Sequence, residues 1–495
     1  MRKAERKPNR IVENVPILEA AAEGNAIAKI EEKVLFVPYA APGDVADIEI
    51  LRSKHNYMTG RILRLLKASP FRQDPFCTHF GLCGGCKWQH LVYEEQLNQK
   101  QKQVRDHLER IGKLSLPPSE PILGSPQNRY YRNKLEFTFS TKRWLDNSEI
   151  TESENYTDSD LQGLGFHLAG KFDKVLDLKK CYLQPEPSNE IRLFIKSYAQ
   201  KNGLSFYDIR QGKGLLRNVI IRNTADGVFM VVLVVGSPII EDFKGLLEAL
   251  KLAFPCIASL MYVINTKVND SIADLEVQVY DGKPFIIMEM PSYLNDKKSL
   301  QFRVGPKSFY QTNTEQAQRL YKLAVDMADL RSEDIVYDLY TGTGTIANYV
   351  ANSVKKVVGI EYVEEAIKDA KINAKENQIN NAYFFAGDMA KVLTTEFMQK
   401  EGFPEVVITD PPREGMHEKV IDQLLCNNLG EGNSFGRPCP SRIVYISCNS
   451  ATQARDIQRL DTWYSVEKLQ AVDMFPHTSH VESVVLLHRR EMAKE

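Results

Sequence analysis

Between Ile11 and Leu66 apolar and polar residues alternate in short runs: Ile17-Leu-Glu-Ala, Ala26-Ile-Ala-Lys-Ile, Val34-Leu-Phe-Val-Pro, Asp47-Ile-Glu-Ile-Leu and Arg61-Ile-Leu-Arg-Leu-Leu, with turn residues at Gly24 and Pro42-Gly43. A period of two bounded by Gly and Pro predicts half-buried strands, and a succession of short ones predicts a small barrel of the OB type. The period then changes. From Tyr93 to about Lys113 apolar residues recur at helical spacing with neither Gly nor Pro before Gly112, which predicts one long amphipathic helix. From about Pro121 to Ser292 strand-like runs (Lys134-Leu-Glu-Phe-Thr-Phe, Val219-Ile-Ile-Arg, Val228-Phe-Met-Val-Val-Leu-Val-Val, Phe285-Ile-Ile-Met) mix with one or two helices, an α+β pattern. The Glu-, Asp-, Ser- and Asn-rich stretch from Ser148 to Asp160 is expected to be a solvated loop. From about Phe302 onward helix, then strand and helix, alternate, the mark of a mainly parallel, doubly wound sheet.

A chain of 495 residues exceeds one ordinary domain and suggests two to four. Lys+Arg 63 against Asp+Glu 64 leaves a net charge of -1, so binding to a polyanion must rest on local patches rather than on a uniformly basic surface. The basic N-terminus is followed by no apolar core of signal-peptide length, and no run is long enough to span a bilayer, so a cytoplasmic protein is expected. In that setting the eight cysteines are not expected to form disulfides, and a tight group among them points to a metal or to redox chemistry.

Four carboxylates close successive strand-like runs in the last third. Asp338 precedes Gly342-Thr-Gly344-Thr-Ile-Ala347, Glu361 ends Lys356-Val-Val-Gly-Ile-Glu, Asp388 follows Phe385-Ala-Gly, and Asp410 follows Val406-Val-Ile-Thr. The glycine loop also satisfies the dinucleotide fingerprint G-x-G-x-x-A, a weak signal alone. A pyrophosphate would be repelled by Asp338, whereas the amino-acid end of S-adenosylmethionine would be held there. Glu361 is placed for the ribose hydroxyls and Asp388 for the adenine. The competing reading of these acids is helix caps and solvated loops.

Ile443-Val-Tyr-Ile-Ser-Cys448-Asn is an apolar strand ending in a thiol at the same sheet edge. A buried cysteine is often inert, but beside a methyl donor it is the nucleophile needed when the target carbon is too electron-poor to attack a methyl group, as C5 of a pyrimidine is. Addition of the Cys448 sulfur to C6 of uracil makes C5 nucleophilic; a base must then remove the C5 proton. Glu482, ahead of Ser483-Val-Val-Leu-Leu, is the candidate base, with His477 and His480 as competitors. Asp410-Pro-Pro-Arg413 is similar to the signature of amino-nitrogen methyltransferases, but Arg413 replaces the stacking aromatic, which favours carbon over nitrogen as the target.

Cys77, Cys83 and Cys86 lie on one glycine-rich loop, and Cys181 is the best fourth thiolate, since Cys256, Cys426 and Cys439 fall in or near apolar or catalytic segments. Zinc and a 4Fe–4S cluster both accept four thiolates, and the spacing leaves both open. Arg129-Tyr-Tyr-Arg132-Asn-Lys134, and Phe302-Arg303 with Lys307 and Phe309-Tyr310, mix cations with rings, as sites for unpaired RNA do, although such rings also serve as core. A target base in folded RNA must be flipped out to reach Cys448.

The order Cys77-x5-Cys83-x2-Cys86, Tyr310-Gln311-Thr-Asn, Asp338-Leu-Tyr-x-Gly-x-Gly-Thr, Asp410-Pro-Pro-Arg, Ser447-Cys448-Asn and His480-Val-Glu482 resembles the RNA uracil-C5 methyltransferases that act on 23S ribosomal RNA, over nearly the whole chain. The resemblance implies a TRAM-like barrel over residues 1–66 and an α+β middle domain (67–92 and 121–300) bearing a 4Fe–4S cluster on Cys77, Cys83, Cys86 and Cys181. It further implies a helix (93–120) joining the catalytic domain, and a Rossmann-like methyltransferase domain over 301–495. By motif, Cys448 is then the nucleophile, Glu482 the base, and Gln311, Tyr340, Glu361, Asp388 and Asp410 line S-adenosylmethionine. Thr341 and Ser450 depart from the usual pattern, where Cys and Pro are common. The implied protein is a monomer whose partner is ribosomal RNA; a transfer RNA methyltransferase and a non-catalytic RNA-binding factor are the alternatives.

Overall fold

The computed structural model describes residues 10–152, 155–168, 170–294, 298–425 and 439–490; Cys426 lies outside them. The N-terminal part is a curled sheet of Ile11–Pro16, Glu19–Ala20, Asn25–Ile30, Lys33–Pro38, Val45–Ser53 and Tyr57–Lys67, closed over Val15, Ala28, Leu35, Val37 and Ile48. Its first strand lay outside the sequence pattern for a physical reason. Asn14 takes a positive φ of 54° and the register slips between Val12 and Val15, so side chains stop alternating there. Trp88, after the cysteine loop, fastens the barrel from below, donating from Nε1 to the Gly24 carbonyl (3.3 Å).

The long helix runs Tyr93–Asp106 and continues through a wider turn, His107–Ile111. Its inward row is Gln96, Lys100, Val104 and Leu108, four residues apart and all fully buried or nearly so. Val104, Leu108 and Leu114 pack with Ala454, Ile457 and Tyr464, each such side chain contributing about 1.5–3 kcal/mol. Lys100 pairs with Asp473 at 2.6 Å, both side chains wholly excluded from solvent. Lys100→Met is expected to destabilise the protein by about 3–5 kcal/mol, because it strands a buried carboxylate, and a thermal melt that does not move would refute this.

The middle part is a seven-stranded sheet in the order Gln278–Gly282, Ile257–Ile264, Phe229–Val235, Leu216–Asn223, Lys134–Ser140, Gly163–His167, Val175–Asp177. One face carries Phe137, Val219, Ile221 and Leu233 against helices Ser188–Lys201 and Lys244–Ala253. The other meets the hairpin Ile286–Pro291/Ser299–Val304, whose Met288, Met290 and Phe302 continue into the catalytic core. The expected loop from Ser148 is not wholly irregular, since Asn147–Glu152 is helical. Asp146 and Glu149 accept from each other's backbone N–H (2.9 and 3.0 Å), a reciprocal cap that starts the helix.

The catalytic sheet comprises β1 Ile335–Leu339, β2 Lys356–Glu361, β3 Ala382–Ala386, β4 Val406–Thr409, β5 Arg442–Ser447, β6 Tyr464–Val472 and β7 Glu482–Arg489. Their spatial order is β3-β2-β1-β4-β5-β7-β6, parallel throughout except that β7 runs against both neighbours. The doubly wound expectation holds, and the chain reverses direction of growth between β1 and β4, where such sheets bind ligands. Among the described residues no helix is long and apolar enough to cross a membrane. Cys439 is disulfide-bonded, against the expectation that none of the eight cysteines would be.

Candidate active site

Because β7 is antiparallel, its first residue lies at the edge where β1, β4 and β5 end. Ser447 pairs with Ser483, so Cys448 leaves β5 opposite Glu482. Cys448 is half-buried and Glu482 is 4% exposed. Burial, and then the charges of Glu482 and Asp410, push the Cys448 thiol up to about 11, while Arg413 pulls it down. Glu482 is itself held well above the usual carboxylate range by burial and by Asp410, with Arg413 opposing. Asp410 rises for the same first reason, loss of water. Three acidic groups and one guanidinium thus share a small volume, and a cation entering it would be strongly favoured.

Two loops of this edge are tied together. Asn449 donates from Nδ2 to the Arg413 carbonyl (3.0 Å), and Thr452 donates its hydroxyl to the same oxygen (3.0 Å). Asn449 also caps helix Ser450–Leu460, accepting from Ala451 N at 3.1 Å. Asp456 accepts from Met416 N and from the Tyr445 hydroxyl (2.7 Å each), fixing the far end of the Asp410-Pro-Pro-Arg413 loop. Tyr321, buried beneath the edge on helix Thr314–Ala328, feels Asp410, Asp338 and Glu482 together. Sequence spacing gave no sign of Tyr321, because it reads as one more apolar position of an amphipathic helix.

At β1, Asp338 is buried and pushed up to about 7, mainly by desolvation. Its Oδ2 accepts from the Thr341 hydroxyl and from Ala347 N (2.9 Å), bracing the glycine loop and the helix that follows; Oδ1 is buried without a partner. Gly344 has φ 76°, and a Cβ there would press on Ala370 and Asn348 at 2.9 Å, so the loop needs glycine. At Gly342 a Cβ would meet nothing within 4 Å, which leaves open space above the loop. Glu361 accepts from Gly342 N (3.2 Å) and Val363 N (3.0 Å). Tyr340 has φ 65° and is pushed up to about 12 by burial. Gln311 is 9% exposed, its carbonyl accepting from Asn133 Nδ2 (2.8 Å).

Asp388 acts on Tyr340 together with Glu361. It caps the short helix Met389–Val392, accepting from Ala390 N (3.0 Å), and its other oxygen lies 3.6 Å from Lys391. His477 is 2% exposed and its Nδ1 lies 3.2 Å from Gln96 Nε2, a role in packing rather than in proton transfer. His480 is pushed down to about 4 by burial and by Arg413, Lys100 and Arg132.

The structure brings Cys77, Cys83, Cys86 and Cys181 into one neighbourhood, none of them in a disulfide. Burial first, and then the other three thiols, push Cys86 up to about 12; burial, and then Cys83 and Cys77, push Cys181 up to about 11. Neighbouring thiols ionise together only around a cationic centre, which is the chemistry this donor set would need from a metal group. Among the described residues no three His, Cys, Asp or Glu side chains are gathered closely enough to hold one metal ion. Cys256 is half-buried elsewhere in the fold.

A doubly wound sheet with a glycine loop after β1 and acids at the ends of β1, β2 and β4 defines the class: a Rossmann-like methyltransferase. A family model described as tRNA (Uracil-5-)-methyltransferase matches residues 287–490, and a TRAM domain model matches 8–63. The chain is 52% identical, over 95% of its length and 100% of the relative's, to an uncharacterized RNA methyltransferase of Bacteroides thetaiotaomicron. It is 51% identical to one of Porphyromonas gingivalis, over 96% and 99% of the two chains. Among solved structures, the tRNA (uracil-54, C5)-methyltransferase of Pyrococcus abyssi in complex with S-adenosyl-L-homocysteine superposes with a TM-score of 0.70 at 26% identity, covering 96% of this chain and 100% of that one. The chain belongs to the tRNA (uracil-5-)-methyltransferase family of RNA methyltransferases.

Proposed function

We propose that this enzyme methylates C5 of a uridine in ribosomal RNA through a covalent Cys448 adduct, with Glu482 as the base. The observation that carries the reading is Cys448 facing Glu482 across β5 and β7, beside Asp410 and the open space above Gly342. S-adenosylmethionine, when bound, supplies an electrophilic methyl group on a cationic sulfur. Gln311, Tyr340, Glu361 and Asp410 would hold it, with Asp338 bracing the loop and Asp388 placed for the adenine. Cys448 loses its proton and its sulfur bonds to C6, the electrons of the C5–C6 bond moving toward the carbonyl at C4. C5 then takes the methyl group. Glu482 accepts the C5 proton, the double bond re-forms and the Cys448 sulfur leaves. Arg413, facing the thiol, favours its ionised form.

Cys77, Cys83, Cys86 and Cys181 would hold a 4Fe–4S cluster rather than zinc. Four sulfurs on one zinc ion, at about 2.3 Å each, lie within about 4 Å of one another. In a cubane each thiolate binds a different iron and the four stand further apart.

Transfer RNA is the second reading, favoured by the whole-chain superposition on an enzyme of that substrate. Ribosomal RNA fragments and transfer RNA, each substituted with 5-fluorouridine, separate the two when incubated with protein and S-adenosylmethionine. Fluorine cannot leave C5 as a proton, so the adduct persists on a denaturing gel. The expected band needs ribosomal RNA, the methyl donor and Cys448; a band with transfer RNA alone transfers the proposal to that substrate. Methylation of unsubstituted RNA without any adduct would end the thiol mechanism.

A further inference from the structure

The segment from Asp473 to Val481, which delivers Glu482 to the edge of the sheet, has no regular structure, yet four consecutive carbonyls in it are each bonded to a different part of the chain. Met474 O accepts from Asn313 Nδ2 (3.0 Å), Phe475 O from Lys100 Nζ (3.1 Å) and Pro476 O from the Tyr131 hydroxyl (3.0 Å). His477 O accepts from Lys87 N (2.8 Å) and Trp88 N (3.0 Å), the residues directly after Cys86. Phe76, directly before Cys77, meets the His477 ring edge-on with centroids 5.1 Å apart. The cysteine loop therefore grips His477 at both of its ends.

The long helix grips it from the other side. Gln96, fully buried, accepts from His477 N (2.9 Å) and gives its two N–H groups to Trp88 O (3.0 Å) and Leu91 O (2.9 Å), with its Nε2 lying 3.2 Å from His477 Nδ1. His477 has φ 64°, a conformation that a histidine keeps only where its surroundings hold it. We propose that His477 is a positioning residue through which the cysteine loop and the long helix together fix Glu482 against C5 of the substrate. This rests on the assignment of Glu482 as the base. A base displaced by about 1 Å loses on the order of 100-fold in rate, whereas binding of RNA and formation of the Cys448 bond do not depend on it.

The test uses the full-length protein with whatever it carries on its cysteines, and uridine-containing RNA tritiated at C5. His477→Gly keeps the backbone conformation and removes the ring; His477→Asn keeps a positive φ and an acceptor for Gln96. His477→Gly is expected to slow tritium release by about 100-fold, to leave single-turnover methyl transfer and KM within a few-fold, and to accumulate a methylated covalent adduct. His477→Asn is expected to recover most of the release rate. If release and transfer fall equally, or neither falls, the proposal is overturned. Should His477→Gly not fold, Gln96→Met removes the long helix's bond to His477 N and is judged by the same criterion. Release of methylated RNA at the normal rate by Glu482→Gln would instead remove the base assignment itself.

Discussion

Replacing Glu482 by glutamine is expected to leave the enzyme covalently attached to methylated RNA. The amide fills the same space beside β6, where Glu482 pairs with Val472, but it cannot accept the C5 proton. Loss of the carboxylate also removes a charge that holds the Cys448 thiol up, so addition to C6 and methyl transfer are not impeded. Turnover should fall by about 10²–10⁴-fold while one equivalent of labelled methyl group becomes trapped on protein-bound RNA. Denaturing gels with methyl-labelled donor read this directly, and variant protein that releases methylated RNA at the normal rate would exclude Glu482 as the base. The pH profile adds a sign. Glu482 acts in its ionised form and its pKa is raised, so wild-type activity should climb as pH rises through and above neutrality, where an ordinary carboxylate would already be flat. In Glu482→Gln the residual turnover should lose that part of the dependence.

Cys448→Ala should abolish both adduct and product, lowering turnover by roughly 10⁴-fold or more, because it removes the thiol that would activate C5. The residue is half-buried and carries no side-chain bond that the fold needs, so thermal stability should stay within about 1 kcal/mol of wild type. Residual methylation above a few per cent, with the melt unchanged, would show that the thiol is not the nucleophile.

The catalytic sheet was legible because its strands are buried on both faces and end in residues that burial would otherwise penalise. Asp338, Glu361, Asp410 and Cys448 each interrupt an apolar run at the same structural level. Asp388 looked equivalent in sequence, but an Asp ahead of a short helix is equally a cap, and that is the bond it makes. Glu482 could be placed only once β7 was known to run antiparallel, a fact set by tertiary pairing and not by periodicity. The roles of His477 and Asp473 were illegible for a further reason. They act through a backbone N–H and a buried carboxylate, with partners more than 370 residues away, Gln96 and Lys100. One signal was present: Gln96 and Lys100 fall in the apolar row of an otherwise amphipathic helix, where a polar residue demands a buried partner. The short helix at Asn147 was also readable from the Asp146-x-x-Glu149 spacing, which the acidic, Ser-rich composition masked.

The remoteness of those partners has a consequence for biosynthesis. Lys100 leaves the ribosome 373 residues before Asp473. At about 5–20 residues per second, its helix waits roughly 20–70 s for the strands it packs against. Over that interval Val104 and Leu108 face water, and Lys100 has no counter-ion. The barrel, whose strands are close in sequence, can close first, whereas the reactive edge is completed only when the last strand arrives. A nascent chain stopped short of β7 would therefore hold its cysteine loop and long helix without the surface that orders them, and would be a natural client for chaperones.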